Sequence, residues 1–252
     1  MARHLIPMAE DRTLVRVLDV DPELGYHLDD EDRAAARRYA VAEVVALDPG
    51  PWPDAAEPPD DGPQVGLLVL DGLLVHELRL GTGACAELLG AGDLVRPWDE
   101  YSAQSIPGWS ASWRVLEPAR LAVLDRRFAT VASRWPTLLD VIMRRSVMRA
   151  RAAGFLRAVT HLTRVDDRLL VLMWFLAERW GRVRPEGVVV PLKLTHQLLA
   201  ALVGAKRPSV TTALGELTAA GLIERRDDGS WLLHGEPPEE PGRRRDSERV
   251  AA

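Results

Sequence analysis

The chain has 252 residues, a net charge of −5 and 47% hydrophobic content, enough for two domains that each bury a core. Its one cysteine, Cys85, excludes a disulfide or a cysteine-held metal or iron–sulfur site within one chain, and suits a reducing cytoplasm. Apolar runs are short and broken by charges, so no membrane span is expected, and the start lacks a signal-peptide pattern.

Residues 1–134 read as a β-rich domain. A helix over Asp29 to Tyr39 opens on acidic residues, where its dipole favours them. Short apolar segments follow at Val41–Leu47, Val65–Leu70, Leu73–Leu80, Ser112–Leu116 and Leu121–Leu124, separated by Gly, Pro and Asp. Many short strands with turn signals predict a sandwich or jelly roll. Asp48 to Pro63, with six prolines, reads as a loop. Trp98, Trp109 and Trp113 admit two readings, an apolar ligand pocket or sandwich core. Cys85 is expected to be a small buried apolar residue. Asp99 and Glu100 form an acid pair that reads as loop charge rather than as general acid and base.

From Trp135 the period changes. Leu138, Val141, Arg145, Met148, Ala152, Phe155, Val159 and Leu162 recur at alternating steps of three and four, seven of the eight apolar. That is a coiled-coil seam of about four heptads, on a helix roughly 37 Å long. So narrow a stripe predicts pairing with a second copy over residues 135–165. The alternative is a long helix lying on its own sandwich. Arg144, Arg149, Arg151 and Arg157 lie off this seam and read mostly as a solvated face. Asp166 to Trp180 is a further amphipathic helix, ended by Gly181.

The stretch Leu194 to His234, within a third domain at 166–235, has the pattern of a winged helix-turn-helix. Thr195 can cap a short helix whose turn is made by Gly204, and Val210, Leu214 and Leu217 recur at helical spacing in a second. Arg207, Ser209, Thr211 and Thr212 occupy the other face and suit a DNA groove. An Asp228-Gly229 turn between Gly221–Arg226 and Ser230–His234 predicts a wing hairpin. Residues 236–252 are rich in Pro, Glu and Arg and read as a disordered tail. The acidic average does not oppose DNA binding. Residues 1–133 hold 12 basic against 23 acidic residues, whereas 134–184 hold 11 Arg against 4 acids, and phosphate responds to local charge. His76, His161 and His196 stand at no metal-ligand spacing, and no nucleophile–base pair or phosphate loop points to an enzyme.

This order of elements resembles the cyclic-AMP receptor protein and fumarate-nitrate regulator (Crp/Fnr) family of bacterial transcription factors over about residues 10–235. The run Leu194 to Val210 carries the likeness most specifically, with Thr195, Ala200, Gly204, Arg207, Ser209 and Val210 at the family's motif positions. Gly66 to Gly72 and Gly92-Asp93 resemble its strand-and-glycine and its Gly-Asp turn.

The resemblance implies an α+β fold: an N-terminal cyclic-nucleotide-binding-like jelly roll, a dimerisation helix and a C-terminal winged helix-turn-helix. It implies double-stranded DNA, a second copy of the chain and RNA polymerase as partners, without a resident cofactor. Arg207 falls where the family's first base-reading arginine sits, and Thr195, Lys206, Pro208, Ser209, Thr211 and Thr212 surround it. Pro208 and Thr212 replace a glutamate and a second arginine of the cyclic-AMP receptor, so the preferred operator should differ. Ser209 and Thr211 are expected to touch phosphate or a thymine methyl.

The family's phosphate-binding Arg-Ser/Thr-Ala triplet aligns with Trp109-Ser110-Ala111, which argues against a cyclic nucleotide. Arg96, Trp98, Trp109, Ser110 and Trp113 remain as a candidate effector pocket of unknown ligand. An adaptor acting through protein contacts is the alternative function.

Overall fold

Two long strands organise the first unit of the computed structural model, which describes residues 13–56, 64–99, 106–240 and 242. The chain divides into two units, residues 1–82 with 87–151, and residues 83–86 with 152–252. The first Met1–Met8 segment, part of the proline-rich loop, Glu100 and most of the C-terminal tail lie outside the described residues.

In the first unit, β1 (Leu14–Arg16) leads into the short α1 (Val17–Val20), α2 (Asp30–Tyr39) and β2 (Val41–Leu47). The Asp29 carboxylate accepts from the Asp32 N–H at 2.8 Å, so the expected acidic start of α2 is an N-cap. Then come β3 (Gly50–Pro51), β4 (Gly66–Leu80), β5 (Gly83–Gly90), β6 (Leu94–Val95), β7 (Trp109–Leu124) and α3 (Arg126–Ala132). The sheet runs β1-β2-β7-β4-β5, with β3 also on β7 and β6 on β4. The β4–β7 pairing is antiparallel from Gly66–Leu124 to Leu80–Trp109.

Here the sequence reading needs correction. The segments on either side of Asp71-Gly72 are one strand, not two joined by a turn, and the same holds for β7. Asp71-Gly72 is an irregularity in the ladder, where the register shifts between Val69 and Leu74. Gly72 has φ +91°, and a Cβ there would lie 2.4 Å from the Pro118 carbonyl oxygen, so only glycine lets the strand bend.

Alternation along β4 feeds two cores. Leu68 and Leu70 join Val17, Leu24, Phe128, Trp135, Leu138 and Ile142. Leu67, Val69 and Leu74 join Trp52, Leu89, Val95, Trp113, Val115 and Leu121 on the other face. Cys85, expected to be buried, is exposed on β5.

The long helix α4 (Pro136–Thr160) begins in the first unit and ends in the second. In the second unit follow α5 (Val165–Trp180), β8 (Arg182–Arg184), β9 (Gly187–Val190), α6 (His196–Val203), α7 (Arg207–Ala219), β10 (Ile223–Arg225) and β11 (Trp231–Leu233). Helices α5, α6 and α7 pack on one another. The strands form an antiparallel sheet in the order β10-β11-β9-β8. Sequence reading found the β10–β11 hairpin but not β8 or β9: Arg182–Arg184 is too short to show a period, while the β-branched run of Val188, Val189 and Val190 is a strand signal that was passed over.

Candidate nucleic-acid interface

Local chemistry builds the helix pair. The Thr195 hydroxyl accepts from the Leu198 N–H at 3.1 Å and caps α6. At its other end Gly204 adopts φ +60°, ψ +42°, the left-handed conformation that closes a helix. The Arg168 guanidinium donates to the Val203 and Gly204 carbonyls, both at 3.3 Å, and to that of Leu162 at 2.6 Å. Thus one arginine satisfies carbonyls at the end of α6 and after α4.

Helix α7 starts at Arg207, with Pro208 in its first turn, where a missing N–H costs nothing. Val210, Ala213, Leu214 and Leu217 are buried, while Lys206, Arg207, Pro208, Ser209, Thr211 and Thr212 are exposed. The Thr212 hydroxyl donates to the Pro208 carbonyl at 3.3 Å. Thr211 Oγ1 lies 3.1 Å from the Arg207 carbonyl oxygen and 2.9 Å from His196 Nδ1. The Thr211 hydroxyl is thus engaged inside the protein and leaves its methyl group for an apolar contact.

A wing completes the surface. The Asp228 carboxylate accepts from the Ser230 hydroxyl at 2.6 Å and the Ser230 N–H at 2.9 Å, which closes the turn between β10 and β11. Those bonds hold the Asp228 carboxyl below the usual aspartate range. The Arg225 guanidinium lies 5.7 Å from the centre of the Trp231 ring. Thr195, His196, Gln197, Arg207 and Arg225 line one open cleft. Sequence reading missed His196, Gln197 and Arg225 as members of it. Only the position of His196 and Gln197 directly after the cap could have signalled two of them.

The basic stretch on α4 is less available than its composition suggested. Arg145 pairs with Asp21 (2.9 Å from Nη2) and Glu23. Burial opposes its charge, but Asp21, Glu23 and Asp93 outweigh that and raise its pKa. Arg149, read as part of a solvated face, makes two 2.9 Å bonds to Glu87.

Burial within the chain divides the apolar positions of α4. Leu138 and Val159 are buried within the chain and Val141, Ala152 and Leu162 are half-buried, whereas Met148 and Phe155 are exposed. The exposed apolar stripe instead runs through Met143, Val147 and Ala150 toward the half-buried Gly154, with Met148 and Phe155 beside it. A three-four repeat locates an apolar stripe but cannot say which of two adjacent stripes the chain's own core takes.

The candidate effector residues do not form one group. Trp113 is core, stacked on His76 at 4.4 Å and edge-on to Trp52 at 6.1 Å, and Trp98 packs against the same core. Trp109 pairs with Leu80 at the far end of the β4–β7 ladder, beside the exposed Ser110. The Arg96 guanidinium is engaged by Asp99 and by the Gln64 and Val65 carbonyls.

Capped α6, glycine turn, α7 and wing together define a winged helix-turn-helix domain in a chain whose other unit is a jelly-roll-like antiparallel sandwich. The profile of the Crp-like helix-turn-helix domain matches residues 164–234. In sequence, 75 residues are 39% identical to the regulatory protein CysR of Synechococcus elongatus, covering 29% of this chain and 36% of that protein. The match thus spans about a third of that curated relative's length.

In structure, a cyclic nucleotide-binding domain containing protein from Listeria monocytogenes is similar with a TM-score of 0.60 at 14% identity, over 85% of this chain and 97% of that one. A CRP/FNR family transcriptional regulator from Thermus thermophilus gives 0.52 at 22% identity, over 77% and 94%. Residues 164–234 are thus a Crp-like helix-turn-helix domain, and the α+β fold is shared with these structures.

Proposed function

We propose that the chain is a sequence-specific DNA-binding transcription regulator, not an enzyme, and that it acts in the cytoplasm as a homodimer on a palindromic operator. The observation that carries this reading is the exposed Arg207 in the first turn of α7, sharing a cleft with His196, Gln197 and Arg225. A guanidinium there can donate to both acceptors of a guanine in the major groove. Lys206, Ser209, Gln197 and Arg225 would hold phosphate, and the methyl groups of Thr211 and Thr212 would meet a thymine. Among the described residues no helix is long and apolar enough to cross a membrane.

The second copy would lie along Met143, Val147, Ala150 and Gly154. Nothing within 4 Å would meet a Cβ at Gly154, and such small residues let two helices approach closely. Two-fold symmetry then places half-sites about 34 Å apart. We read the sandwich as a degenerate sensor. Trp113 fills its core, and no arginine stands in the triplet ending at Ala111. RNA polymerase would be the partner through which DNA occupancy changes transcription.

Selection from random duplexes by the full-length protein without added ligand tests the reading. A palindrome is expected. Failure to enrich any duplex, in the absence and presence of cyclic nucleotides, would favour the adaptor function.

A further inference from the structure

The contact between α6 and α7 at their N-termini ties Arg207 to the capped end of α6. Thr211 Oγ1 sits 3.1 Å from the Arg207 carbonyl oxygen and 2.9 Å from His196 Nδ1. A hydroxyl has one hydrogen, and a carbonyl oxygen can only accept. Both contacts are therefore hydrogen bonds when Thr211 donates to Arg207 and His196 Nδ1–H donates to Thr211. His196 immediately follows the cap residue Thr195, whose hydroxyl holds the Leu198 N–H. Two hydrogen bonds thus run from His196, the first residue of α6, to the backbone of Arg207.

We infer that His196 and Thr211 are positioning residues for Arg207, and that they set how sharply it discriminates its base pair. The inference rests on the DNA-reading function proposed above. Arg207 is the first residue of α7, and the Lys206 side chain makes no cap bond. The first turn is where a helix frays, because its N–H groups lack partners within the helix. Pro208 restrains φ in that turn but offers no N–H to hold it. The Thr211 bond pins the carbonyl of Arg207 itself, and His196 fixes that pin to a second helix. Bidentate pairing with guanine tolerates only about 0.5 Å of misplacement, so a small backbone restraint matters. In solution water competes for these exposed groups. When DNA covers the cleft that competition ends and the bonds strengthen.

The test uses the full-length protein and the duplex it selects. Affinities for that duplex and its single-base variants are measured for wild type, T211V, T211S and H196A. The base pair whose preference disappears in R207A identifies what Arg207 reads. T211V and H196A should each lose about three- to tenfold in discrimination at that pair, with the salt dependence unchanged, while T211S retains it. A nitrogen-detected NMR spectrum of the wild type should show His196 as the Nδ1–H tautomer. Wild-type discrimination in T211V, or equal weakening on every duplex, overturns the positioning role and leaves the DNA reading intact. A wild-type protein that selects no duplex overturns the DNA reading, and this inference falls with it.

Discussion

The Arg149 guanidinium meets the Glu87 carboxylate through two 2.9 Å bonds, from Nε to Oε1 and from Nη2 to Oε2, which joins α4 to β5 within the first unit. The same guanidinium lies 6.0 Å from the centre of the Trp113 ring. Both partners are about three-quarters shielded (24% and 21% exposed), so the pair is stronger than a surface bridge and weaker than a fully buried one. Glu87→Gln should cost about 1–2 kcal/mol in urea unfolding, since it leaves the arginine with a neutral acceptor. An unchanged midpoint would mean that the core alone orients this part of α4.

Trp113 is buried in the core that Leu67, Val69 and Leu74 share, in contact with His76 and Trp52. Trp113→Ala should destabilise the first unit by about 3–5 kcal/mol. An unfolding curve that separates two transitions would show the loss in one alone. A cost below about 1 kcal/mol would indicate a ligand pocket that opens easily, contrary to the core assignment.

Arg207→Ala should remove about 1–3 kcal/mol of discrimination at one base pair in each half-site. Lys206→Ala should instead weaken all duplexes alike and reduce the salt slope by about one. Competition binding against single-base variants separates the two. Equal losses on every sequence for Arg207→Ala would place it on phosphate.

Val147 is 44% exposed in the single chain, in the middle of the apolar stripe of α4. Val147→Glu should therefore leave folding intact while setting two carboxylates against each other across a two-fold axis. Sedimentation equilibrium is expected to show dimer for wild type and monomer for the variant, with weaker operator binding. A variant that stays dimeric would move the interface away from this stripe.

Acid should weaken the second unit through Asp166. Hydrogen bonds from Arg164, at 2.6 and 3.0 Å, are the main reason its pKa lies below the usual aspartate value. A lowered folded-state pKa contributes stability that is complete above the unfolded value of about 3.9 and is lost as pH falls through the lowered one. The stability difference between wild type and Asp166→Asn should be constant above about pH 5 and shrink steadily below pH 4. A difference that grows on acidification would reverse the assignment.

How much was legible follows from how local each feature is. Thr195, Gly204 and the Asp228-Gly229 turn act through bonds spanning two to five residues, so the helix pair and hairpin could be read directly. Asp29 does the same for α2. The cleft was only partly legible. Arg207 was evident from its motif position, but Arg225 lies on a wing strand 18 residues further along, and only the packing of the hairpin against α7 brings it to the cleft.

By itself, then, the sequence determined the capped helix pair, the wing hairpin and an apolar stripe on the long helix, because caps, turns and periodicity depend on near neighbours. The tertiary structure decided which stripe is exposed. Arg145 and Arg149 bond acids 124 and 62 residues away, and with Leu138 and Ile142 in the core they turn one face of α4 inward. It also decided that Asp71-Gly72 bends a continuous strand, because Pro118 and Ala119 of the neighbouring strand leave no room for a side chain there. Charge pairing and steric exclusion between distant segments leave no periodic trace in a sequence.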